Sequence, residues 1–148
     1  MSSGETAFRR IQAAARSAAA KTGTNAPTHE YLIRHALESF LHRLTQTSHH
    51  GDFVLKGGVL LAAYGVRRPT RDADSNAVSA DVTAEHLAKV VRDIAEVTVD
   101  DGMVFDLDTI SIQEIREQAD YPAMRVRVAV SIGPWTGTAV WDVSTGDP

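Results

Sequence analysis

The chain contains no cysteine. It therefore holds no disulfide and no thiolate metal site. It also has no apolar run near the ~20 residues that cross a bilayer. Residues 1–16 carry arginines and alanines without an apolar central stretch, which excludes a secretory signal of the usual kind. These absences fit a cytoplasmic protein that makes no membrane contact. A strong basic excess is missing as well: the net charge is −4, which argues against coating nucleic acid by charge alone. Internal repeats and low-complexity linkers are absent. Ser75, Ser79 and Ser131 lack a glycine-flanked nucleophile elbow, so hydrolase chemistry has no support. No Walker motif is present, because Lys56 precedes Gly57-Gly58 instead of following the glycines.

What remains is an ordinary soluble composition, 43% hydrophobic and 23% charged over 148 residues, enough for one domain with a modest core. Residues 5–20 read as an alanine-rich helix with Phe8, Ile11, Ala15, Ala18 and Ala19 on one stripe. Thr28 is the expected cap of a second helix, whose apolar face runs Leu32, Ile33, Ala36, Leu37, Phe40, Leu41 and Leu44. Residues 52–56 form a short buried strand. Gly57-Gly58 then turns into a helix through Val59, Leu60, Leu61 and Tyr64, closed by Gly65. Residues 71–78 give a second strand, and a third helix runs from Asp81-Val82-Thr83 to about Ala95. The pattern then turns to strands at 103–105, 109–112, 124–132 and 138–143. The expected fold is α+β: a helical lead-in over 1–50, then a core over 51–148 with a mixed β-sheet flanked by helices. The chain stops just after its last strand with no element to cover the sheet, as a fragment would.

The chemistry concentrates in two places. Gly57-Gly58 opens a helix where backbone N–H groups can approach phosphate oxygens. Asp72 and Asp74 lie two apart, so on a strand both face the same way, as a Mg²⁺ pair for phosphoryl or nucleotidyl transfer requires. Neither half is specific alone, but their order and separation point to a nucleotidyltransferase. A third carboxylate is needed, and Asp142 is the candidate, set between Trp141 and Val143, where a carboxylate is costly unless paired or metal-bound. Lys56, Thr70 and Arg71 adjoin this site as nucleotide-binding candidates. Arg67, Arg68 and Arg71 form either a solvated loop or a phosphate contact. Asp106-Leu107-Asp108 repeats the acidic spacing without a preceding glycine turn. With Asp100-Asp101-Gly102 upstream, it reads as a solvated acidic hairpin loop. His35 and His42 share a helix face without a third ligand. His49-His50 is read as a polar loop, and His29 and His86 as helix-end residues.

The segment from Phe53 to Leu61 with its Lys56-Gly57-Gly58, followed by Arg71-Asp72-Ala73-Asp74, resembles the AbiEii/AbiGii toxin family. These are nucleotidyltransferases of the DNA polymerase β-like superfamily, with MenT-like members. The likeness continues through Val104-Phe105-Asp106, Glu114-Ile115-Arg116, Tyr121-Pro122 and Arg125 to Val128, and ends in Trp141 to Asp147. It implies a polymerase β-like core and Mg²⁺-dependent transfer of a nucleoside monophosphate from NTP to RNA, at the tRNA 3′ end in MenT-like members. It also implies a cognate antitoxin protein as partner. By the same likeness Gly57 and Gly58 cradle the triphosphate, while Asp72, Asp74 and Asp142 are the metal-holding, catalytic carboxylates. Ser75-Asn76 stands where the family has an apolar residue. The family's helical C-terminal half, with its lysine and further aspartate, is not in these 148 residues, so the chain reads as an N-terminal portion. Two alternatives stand beside this: an inactive relative that binds nucleotide or antitoxin, and a nucleotidyltransferase that modifies protein.

Overall fold

Apolar spacing near 3.6 residues produces the helices, and the caps set their ends. A computed structural model describes residues 2–23, 28–56, 72–78, 82–118 and 121–144; at 55, 56, 72, 76, 116–118, 121 and 122 it describes the backbone alone. Helix α1 spans Ser3–Thr22: the Ser2 side chain accepts from the Glu5 N–H, and Gly23, at φ 68°, donates its N–H to Ala19. Its buried residues Ala7, Ile11 and Ala15 recur every fourth position. Helix α2 spans Thr28–Thr45, with Thr28 as its first helical residue. Helix α3 spans Ala84–Glu96. Thr83 caps it by accepting from the His86 N–H, and Leu87, Val90, Val91 and Ile94 are buried.

Five strands follow the chain as β1 (Phe53–Lys56), β2 (Asp72–Ala77), β3 (Met103–Gln118), β4 (Tyr121–Ile132) and β5 (Trp135–Ser144). They form one mixed sheet in the order β1-β2-β5-β4-β3. β2 and β5 run parallel, and the other neighbours are antiparallel. The fold is thus α+β, with α1 against β4, α2 against β5 and α3 against β3. Gly133-Pro134 makes the two-residue turn between β4 and β5, with Gly133 at φ 58°. The start of α1 lies so close to this turn that a Cβ on Gly4 would stand 2.7 Å from the Gly133 nitrogen.

One face of the sheet carries Ala73, Ser75, Val126, Val128, Val130, Ile132, Ala139, Trp141 and Val143, all buried. Trp141 is the centre of this layer: its ring meets Phe40 of α2 at 5.4 Å and Phe53 of β1 at 4.9 Å. The two separate strands expected at 103–105 and 109–112 are one strand, β3, with a register irregularity between Asp106 and Ser111. The acidic loop expected at Asp106-Leu107-Asp108 is therefore corrected to a distorted stretch inside that strand. There the Asp106 side chain accepts from the Asp108 N–H at 3.2 Å. A local side-chain bond of this kind disguises a strand as a turn.

A polar knot joins α2 to the segment ahead of β3. Arg43, 5% exposed at its side chain, donates to an Asp101 carboxylate oxygen at 2.9 Å and to the Val97 carbonyl at 2.8 Å. Ser39 and the Met103 N–H also donate to Asp101. Burial pushes the Asp101 carboxyl up. The bonds from Ser39, Met103 and Arg43 outweigh that and hold it below its ordinary value. A depressed folded pKa means the stabilisation is present above the ordinary carboxylate value of 3.8 and is lost as pH falls through the folded value. Asp101→Asn is therefore expected to lower unfolding free energy by about 1.5–3 kcal/mol at pH 7. Thermal unfolding of parent and variant from pH 7 to pH 2.5 checks this, and the gap should narrow as the pH falls below 3.8.

Candidate active site on the exposed sheet face

Alternation along β2 and β5 puts a second set of side chains on the face away from the helices. Along β5, Trp141 and Val143 point into the core, so Asp142 between them points to the opposite face. Asp74 alternates in the same way between the buried Ala73 and Ser75. The parallel register pairs Asp74 with Asp142, so the two carboxylates are side by side on neighbouring strands. Asp72 takes the register position opposite Val140, two residues before Asp74. For Asp72 and Lys56 the structure describes register alone, and Lys56 pairs with Asp74 on the β1 side. Gly57, Gly58, Thr70 and Arg71 lie outside the described residues, as do Arg67, Arg68 and the helix expected to end at Gly65.

The two carboxylates differ in setting. Asp74 is exposed, whereas Asp142 is 9% exposed. Such burial calls for a partner, and Arg125 provides it from the opposite position on β4. Its Nε donates to Oδ1 and its Nη2 to Oδ2, each at 2.8 Å, forming a two-pronged ion pair. Sequence reading saw Arg125 only as one member of an alternating strand. The cost of burying Asp142 was the available signal, since it demanded a cation from somewhere. Arg127, two residues on, donates to Gln113 at 3.1 Å.

Ser75, which replaces an expected apolar residue, faces the core and is 1% exposed. Its hydroxyl accepts from the Trp141 indole N–H at 3.0 Å. A buried indole needs an acceptor, and this one ties β2 to β5 directly behind Asp74 and Asp142. The polar residue thus braces the two carboxylate strands.

Several histidines bond residues away from this face. His35 bonds the Asp101 carbonyl at 3.0 Å, and the Trp135 indole N–H donates to His29 at 3.0 Å. His49 lies in a turn, as its polar neighbours suggest, and its side chain is satisfied inside the protein. It is buried, bonds Asp93 at 2.8 Å and meets the edge of His86. The His49 bond, then that from Lys89, holds the Asp93 carboxyl below its ordinary value. Among the described residues no trio of His, Cys, Asp or Glu gathers as a metal cage. Asp74 and Asp142 supply hard oxygen donors, which suit a Mg²⁺ shell completed by substrate phosphates better than a closed protein cage. No helix of the described residues is long and apolar enough to cross a membrane.

A family model described as "Nucleotidyl transferase AbiEii toxin, Type IV TA system" matches residues 39–148, well over half of the chain. No curated protein and no solved structure matches it. With a strand–glycine–strand order in its sequence and paired acids on one sheet face, the chain belongs to the AbiEii family of nucleotidyltransferase toxins of type IV toxin–antitoxin systems.

Proposed function

We propose that this chain carries the Mg²⁺-dependent catalytic site of a toxin that transfers a nucleoside monophosphate from NTP to an RNA acceptor, the 3′ end of tRNA. The observation that carries the proposal is the register match of Asp74 with Asp142 on the face away from the helices. Asp72, Asp74 and Asp142 would hold the metal. When bound, Mg²⁺ supplies charge neutralisation at the triphosphate and acidifies the attacking hydroxyl. The acceptor oxygen forms a bond to the α-phosphorus, the bond to the bridging oxygen breaks, and pyrophosphate leaves while the hydroxyl proton passes to solvent. Lys56, Gly57, Gly58, Thr70 and Arg71 would orient the triphosphate, so the protein's part is positioning more than covalent chemistry. A cognate antitoxin protein is the expected partner, and the cytoplasm, where NTP and tRNA meet, is the expected compartment.

The test supplies each of four α-labelled NTPs with Mg²⁺ and total tRNA, beside an Asp72→Ala/Asp74→Ala control. Label on RNA that disappears in the control is the expected result. Label on protein would move the acceptor to a protein hydroxyl. Label on neither would favour a nucleotide- or antitoxin-binding module without turnover.

A further inference from the structure

One register line crosses all five strands. It runs from Gln113 through Arg125, Asp142 and Asp74 to Lys56. Its two acids are adjacent, and a cationic residue follows each one outward. Neighbouring strands are about 4.8 Å apart, so two unscreened carboxylates at paired positions repel. At Asp142 the structure answers this repulsion with the Arg125 fork, which is fixed by two bonds of 2.8 Å. Arg125 is 25% exposed and Asp142 11% at their side chains, so water screens the pair only partly.

An ionised carboxylate has two oxygens and about four lone-pair positions. A two-pronged guanidinium takes the facing position on each oxygen. Those are the same two positions that a cation would need to be chelated by both oxygens at once. Asp142 is thereby left able to offer a cation one oxygen at a time, from a side chain whose torsions are already set.

We propose that Arg125 is a positioning residue that makes Asp142 a one-oxygen ligand and so favours Mg²⁺ over larger divalent cations. The inference rests on the proposed role of Asp142 at the metal site. Its physical basis is the contrast between the two ions. Mg²⁺ demands near-octahedral geometry with few protein oxygens, whereas Ca²⁺ accepts two-oxygen carboxylates and higher coordination. Removing the fork frees the second oxygen and adds net negative charge at the site. Ca²⁺ then gains more than Mg²⁺, and transfer falls because the carboxylate no longer holds one orientation.

The experiment titrates the parent chain, Arg125→Gln, Arg125→Lys and Asp142→Asn with MgCl₂ or CaCl₂ alone. Binding is followed by calorimetry and by the thermal shift. Outer-shell partners of metal ligands typically change affinity or activity 10–100-fold, so Arg125→Gln should shift the Ca²⁺/Mg²⁺ affinity ratio toward Ca²⁺ by about tenfold. Arg125→Lys keeps the charge without the fork. It should recover the metal-free melting temperature and still show the shifted ratio, which a merely structural ion pair would not do. An unchanged ratio in both Arg125 variants overturns the inference while leaving the Asp142 role intact, provided Asp142→Asn weakens cation binding. If Asp142→Asn binds both cations as the parent does, the proposed metal role of Asp142 fails, and this inference fails with it.

Discussion

Asp74→Asn is expected to lower nucleotide transfer on the order of 10³-fold, equivalent to about 4 kcal/mol of transition-state stabilisation. The substitution keeps the shape and removes the charge. A neutral amide oxygen is a poor ligand for a hard divalent cation, and the site loses a negative charge just where the triphosphate's counter-ion must sit. Since Asp74 is exposed, the change should leave unfolding free energy within about 0.5 kcal/mol of the parent. Transfer assays beside urea denaturation separate the two effects. An equal loss of stability and activity would point to misfolding, and retention of full transfer would remove Asp74 from the site.

Trp141→Ala has the largest expected effect on the fold, a loss of about 3–5 kcal/mol. The side chain is 1% exposed and fills the space between Phe40 and Phe53. Its removal opens a cavity between α2 and the sheet and leaves the Ser75 hydroxyl buried without its indole donor. In a single domain of this size the melting temperature should fall on the order of 10 °C or more. Trp141→Phe separates the two contributions: most of the ring volume returns, and the unpaired hydroxyl remains. Its loss should be smaller, about 1–3 kcal/mol. A Trp141→Ala chain that melts with the parent would mean that the tryptophan is not packed as described.

The helices were legible because their signal is local. Leu87, Val90, Val91 and Ile94 repeat at helical spacing and are buried as that spacing requires. The cap at Thr83 lay where a helix start was read, and the stripe read for α1 shares Ile11 and Ala15 with its buried set, which has Ala7 in place of Phe8 and stops short of Ala18 and Ala19. Strand β3 was misread because Asp106 and Asp108 interrupt its alternation at the very place where its pairing with β4 slips. The burial of His49 was not legible because its partner Asp93 lies on α3, which local sequence does not place beside it. At the candidate site, the pairing of Asp74 with Asp142 and the Arg125 fork are properties of strand order and register. Periodicity says which residues alternate but not which strand lies next to which. Arg43 escaped notice for a similar reason: in a helix rich in charges, nothing marks the one whose partner comes from the segment before β3.

The Ser75–Trp141 bond bears on the order in which the chain folds. β2 and β5 form the only parallel pair among the described strands, and β3 and β4 lie between them in sequence. Such a pairing carries the greatest loop-closure cost and forms slowly relative to local hairpins such as β4–β5. A slip of one residue there would send Asp74 and Asp142 to opposite faces. The indole–hydroxyl bond closes only when Ala73 stands opposite Trp141, so it rewards the correct register and no adjacent one. Refolding chains should therefore regain their helices and hairpins first. Tryptophan burial and the paired carboxylates should then appear together, in the last step.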